Sequence, residues 1–153
     1  MKNHKLYTSC DVEKIFNIPM VTIQAWIKFE FIKPTVTYNK KRTYRFFSEE
    51  DLKLIGLFKA LVDFGVNRKS IWPWLIEIKS KIQPTKNKIR QYLKFRIKNK
   101  RIENFEILGD SHSGRIESGR CLNFEFDFEK FESDFVLINY SKICFEIAQA
   151  LEK

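Results

Sequence analysis

The chain has 153 residues, 44% of them hydrophobic, and its 28 basic and 19 acidic side chains leave a net charge of +9. Apolar material that includes 15 Phe is enough for a packed core and excludes a wholly disordered chain. No run approaches the roughly 18 apolar residues of a membrane span, and the opening MKNHKLYTSC lacks the apolar stretch of a signal peptide, so a cytoplasmic protein is expected.

The first predicted element is a short amphipathic helix from Thr8 to Phe16, with Val12, Ile15 and Phe16 on one face, Thr8 or Ser9 as N-cap and Asn17 as its end. Ile18-Pro19-Met20 then forms a tight turn into a second helix through Ile23, Trp26 and Ile27. Two short helices joined so closely make a helix-turn-helix. After Lys33-Pro34 the pattern alternates. Thr35–Tyr38 and Thr43–Phe47 are predicted strands, and Asn39-Lys40-Lys41-Arg42 is a basic hairpin tip between them. Ser48 with Asp51 three residues on forms a capping pattern ahead of a third helix carrying Leu52, Ile55, Leu57, Phe58 and Leu61. That helix stops near Gly65, and a fourth begins with Asn67 or Ser70 as cap; Pro73 is tolerable in the first turn if the cap is Ser70.

Beyond Pro84, Ile89, Tyr92, Leu93 and Ile97 make an apolar stripe on a Lys/Arg-covered segment, which predicts a basic helix over Thr85–Lys100. Asn104–Leu108, Leu122–Phe128 and Phe135–Asn139 are predicted strands, Gly109–Gly119 a Gly/Ser-rich loop, and Ser141–Lys153 a closing amphipathic helix. The fold class expected is mainly α with a small β content. It comprises a winged helix-turn-helix over 1–78, a basic connecting helix over 79–101 and a small α+β domain over 102–153.

Charge divides along the same lines. Residues 1–78 carry 13 basic and 8 acidic side chains, residues 79–101 carry 10 and 0, and residues 102–153 carry 5 and 11. A basic front suits a polyanion, because clustered Lys and Arg neutralise phosphates and release their counterions. The stretch over Lys79–Arg101 either extends a DNA footprint or covers a helix that buries Ile89, Leu93 and Ile97. Cys10, Cys121, Cys144, His4 and His112 show no ligand spacing, so inert buried thiols are expected and neither a metal site nor a cofactor is. Paired carboxylates, an activated nucleophile and a phosphate-binding Gly loop are all missing at workable spacing, so an enzyme is not expected.

From Tyr7 to about Leu75 the sequence resembles the MerR family of bacterial transcription regulators. The resemblance is carried in order by Tyr7–Val12, Ile18–Trp26, Phe31-Ile32-Lys33-Pro34, Tyr44-Arg45-Phe46-Phe47-Ser48, Glu49–Leu52 and Leu61–Val66. Departures from the family pattern are Gln24 for Arg, Ala25 for an aromatic, Ile27 for Glu and Glu30 for Gly. The resemblance implies that the second helix enters the major groove of double-stranded DNA with Val21, Thr22, Gln24, Ala25 and Lys28 nearest the bases. It further implies a wing on the backbone or minor groove using Tyr38, Lys40, Lys41, Arg42, Tyr44 and Arg45. Trp26, Ile23 and Phe31 are assigned to the core, and Tyr44 is weighed between core and wing.

The function expected is that of a sequence-specific transcription regulator, a nucleoid-associated homodimer whose C-terminal region contacts its own copy, RNA polymerase or another protein. Two alternatives remain open at this point: an excisionase-like or architectural DNA-bending protein, and a chaperone-modulator-like interaction adaptor that binds no DNA. The +15 carried by residues 1–101 weighs against the adaptor.

Overall fold

A computed structural model describes residues 5–81, 92–108 and 135–152. Strand β1 (Tyr7–Thr8) leads into helix α1 (Ser9–Phe16) and helix α2 (Met20–Lys28), followed by the hairpin β2 (Val36–Asn39) and β3 (Thr43–Phe47). Helices α3 (Glu49–Asp63) and α4 (Arg68–Lys81) come next, then β4 (Tyr92–Lys98), β5 (Arg101–Leu108), β6 (Phe135–Asn139) and helix α5 (Tyr140–Leu151). Two antiparallel three-stranded sheets result, in the orders β1-β3-β2 and β5-β4-β6.

Local chemistry sets the helix ends. Thr8 caps α1 and Ser48 caps α3, each with Asp three residues on completing the reciprocal box, a device that contributes about 1 kcal/mol per helix. Asn17 closes α1 in the left-handed conformation. At α3 the Gly65 N–H bonds to the Val62 carbonyl and the Val66 N–H to that of Leu61, with Gly65 at φ 83°. Asn67 is the cap of α4, accepting the Lys69 N–H at 3.0 Å. Pro73 therefore sits inside α4 rather than in a first turn begun by Ser70, and the helix forgoes one backbone bond there.

One continuous apolar cluster joins the parts. It runs from Val12, Ile23 and Trp26 through Leu57, Phe58 and Ile71 to Phe95, Val136 and Ile147. Helix α5 crosses α3 at Gly56, where a Cβ would lie 2.7 Å from Ile143 and 3.0 Å from Phe16, so only glycine admits this approach. On α4, Trp74 meets Phe105 of β5 edge-on at 5.9 Å.

The basic connecting helix is corrected: Tyr92–Lys98 is a strand. Leu93 and Phe95 are buried and Ile97 is half-buried, while Arg96 and Lys98 on the alternate positions are exposed, a period of two that the stripe of Ile89, Tyr92, Leu93 and Ile97 obscures. The strand expected from Asn104 begins at Arg101, and the closing helix starts at Tyr140. The loop expected over Gly109–Gly119, the strand over Leu122–Phe128 and residues 82–91 lie outside the described residues. Of the thiols expected to be buried, Cys10 is exposed and Cys144 is half-buried. Burial pushes the Cys144 thiol up, against the opposing pull of the Lys53 ammonium.

Candidate nucleic-acid interface

Helix α2 is held from behind and presents its front. Ile23 and Trp26 are buried, and Trp26 packs edge-on against Phe58 of α3 with ring centroids 4.8 Å apart, a contact type that contributes about 1 kcal/mol beyond its buried area. Phe31, just past the helix, stacks on the same Phe58 at 6.2 Å. Val21, Gln24 and Lys28, at i, i+3 and i+7, are all exposed, and Val21 is 72% so. Thr22 and Ala25 are half-buried beside them. All five helix residues expected at the interface thus share the outward face, and none is acidic.

The start and end of α2 carry two features that motif reading missed. Pro19 provides no side-chain cap; instead the Met20 N–H donates to the Glu13 carboxylate at 3.3 Å. This first-turn amide is therefore taken and does not await a phosphate. At the other end, the Glu30 N–H bonds to the Ile27 carbonyl at 3.0 Å and the Phe31 N–H to that of Trp26 at 2.8 Å, and Glu30 has φ 59°. The same Schellman closure ends α3 with glycine in the equivalent place. A signal for it did exist in the sequence, since Glu30 stands where the resembled pattern has Gly.

The β2–β3 hairpin is clamped at its base. Strand β1 pairs with β3 at Tyr7↔Phe47, Phe47 is fully buried, and the Thr35 hydroxyl donates to Asp51, the residue that also completes the α3 cap. Its tip, Lys40, Lys41 and Arg42, is exposed. The remaining expected residues divide between two faces. Tyr38 and Tyr44 lie directly opposite each other, 49% and 50% exposed, with the Lys40 ammonium 5.4 Å from the Tyr38 ring centre. Tyr44 is thus not a core residue. Arg45 falls on the other face with Phe47, pairs in register with Thr37 and is half-buried.

Two short helices joined by a tight turn, the second backed by Ile23 and Trp26 and presenting a non-acidic face beside a basic hairpin, define the class: a helix-turn-helix. By comparison, the sequence model of the MerR HTH family regulatory proteins matches residues 7–74, within the N-terminal half of the chain. The N-terminal region is therefore a MerR-type helix-turn-helix domain. A search of curated proteins found no match to the chain. Among the described residues, no helix is long and apolar enough to cross a membrane, and no three His, Cys, Asp or Glu lie together as a metal site would require.

Proposed function

We propose that the protein is a sequence-specific transcription regulator in which α2 reads the major groove and the β2–β3 hairpin is a wing on the DNA backbone. The outward face of α2 supports this most directly. It places one amide side chain, Gln24, between Val21 and Lys28 on a helix fixed by Trp26, and an amide pairs bidentately with adenine N6 and N7. Val21, Thr22 and Ala25 supply apolar contact of the kind a thymine methyl takes, and Lys28 reaches phosphate. In the wing, Lys40, Lys41, Arg42 and Arg45 fix position on the backbone, and Tyr38 and Tyr44 lay an aromatic pair alongside.

The regulator acts as a homodimer in the cytoplasm, associated with the nucleoid. Its α+β half is the protein-contacting part, where Phe145 of α5 stands 60% exposed. Titrating base-substituted duplexes tests the reading. Gln24→Ala alters preference at one or two base positions by about 1–3 kcal/mol each, whereas Arg45→Ala weakens every duplex to a similar degree. Sequence-blind losses of equal size from both variants would contradict the assigned roles.

A further inference from the structure

The wing tip is not the only basic hairpin. Strands β4 and β5 pair through Lys98↔Arg101, which makes Asn99-Lys100 a two-residue turn, and both of its residues are left-handed, at φ 51° and 61°. That geometry favours Asn followed by Gly. Here Lys stands in the glycine place, and Lys98 faces Arg101 across the strands, a like-charge pairing that works against the hairpin. The tip is also anchored to the body: the Asn67 N–H donates to the Lys100 carbonyl at 2.6 Å, and Arg68 and Lys69 follow Asn67 directly.

Five exposed cations therefore gather where the tip meets the start of α4. Among the described residues none of the five has a carboxylate in ion-pair range, although other cations do. Lys53 has Glu49 and Glu50, Lys59 has Asp63, Lys81 has Glu77, Arg96 has Glu103 and Lys142 has Glu146. Helix α3 relates the two basic hairpins. The β2–β3 hairpin feeds the start of α3, the second tip lies just past its end, and its 15 residues span about 22 Å. Between them α2 is fixed against Phe58 by Trp26 and Phe31.

We infer that the β4–β5 tip, through Lys98, Lys100 and Arg101, is a second backbone clamp that grips DNA phosphates flanking the base pairs read by α2. It rests on the reading of α2 as the DNA-reading helix, and lies outside the family-matched residues. Unpaired charge at a strained turn fits a polyanion surface, since each phosphate neutralised releases a counterion and adds affinity without sequence preference.

The test uses the full chain with the double substitution Lys100→Gly and Arg101→Gln. Affinity is measured against salt on a short duplex holding only the base pairs that affect binding, and on one carrying flanks of about one helical turn, roughly 10 base pairs, on each side. On the long duplex the slope of log affinity against log salt falls by about 2, and on the short duplex it is unchanged. Thermal unfolding checks the fold independently, because Lys100→Gly alone relieves the turn and raises the midpoint while weakening long-duplex binding. An unchanged slope on the long duplex overturns the second clamp and, if Arg45→Ala still weakens binding, leaves the α2 reading intact. An equal fall on both duplexes also overturns it, placing the tip inside the core footprint. A wild-type chain without salt-dependent affinity for either duplex removes the α2 reading and this inference together.

Discussion

Glu30 closes α2 in a conformation that costs an L-residue about 1–2 kcal/mol, because Cβ crowds the following carbonyl. Replacing it with glycine removes that crowding but returns about 0.5–1 kcal/mol as extra backbone freedom in the unfolded chain. The Schellman bonds of Glu30 to Ile27 and Phe31 to Trp26 are backbone bonds and survive the change, and the exposed carboxylate leaves no buried partner behind. Glu30→Gly should therefore stabilise the protein by about 0.5–1 kcal/mol. For a chain of 153 residues that corresponds to a rise of about 1–4 °C in Tm, read by thermal unfolding followed with far-UV circular dichroism. Glu30→Ala serves as the control: it removes the charge, keeps Cβ and should leave Tm almost unmoved. If the alanine variant rises as far as the glycine variant, the carboxylate and not the backbone is the source of the cost. If the glycine variant falls, the left-handed closure of α2 is refuted.

Gly56→Val places methyl groups where Ile143 and Phe16 already stand. The expected loss of about 1–3 kcal/mol in chemical denaturation exceeds the gain of under about 0.5 kcal/mol from helix propensity, with amide exchange in α5 accelerating most. Asp11 is held below its ordinary carboxylate value chiefly by the Thr8 backbone N–H, 2.7 Å from its oxygen. A depressed folded-state value means that this contribution is present above the ordinary carboxylate range and lost as pH falls through the lowered one. Stability should drop on acidification through that window, and Asp11→Asn should flatten the acid limb; an identical limb in the variant would show that the α1 cap is not its source.

Much of the helix-turn-helix was legible because each boundary has a local cause. Thr8 with Asp11 and Ser48 with Asp51 are capping boxes, Asn17 and Gly65 suit left-handed ends, and basic polar residues at 39–42 suit a hairpin tip. The outward face of α2 follows from helical spacing once Ile23 and Trp26 are recognised as core. What escaped was decided by contacts distant in sequence. Glu13 reaches across seven positions to Met20, and Thr35 reaches sixteen to Asp51. Strand β4 was concealed because Lys and Arg favour helices and its apolar residues satisfy a helical spacing as well as a strand's. Pairing on both sides, with β5 and β6, decided the outcome. The placement of Arg45 and Tyr44 on opposite faces of β3 follows from alternation alone, yet a motif that treats both as one wing hides it.

Selection of duplexes from a random-sequence pool by the 153-residue chain at moderate salt tests sequence-specific reading by α2. Enrichment of a defined site with two related halves is expected, lost or altered at specific bases by Gln24→Ala and weakened uniformly by Arg45→Ala. Recovery of no preferred sequence would contradict sequence-specific regulation, and recovery of no duplex at any salt concentration would contradict DNA binding itself.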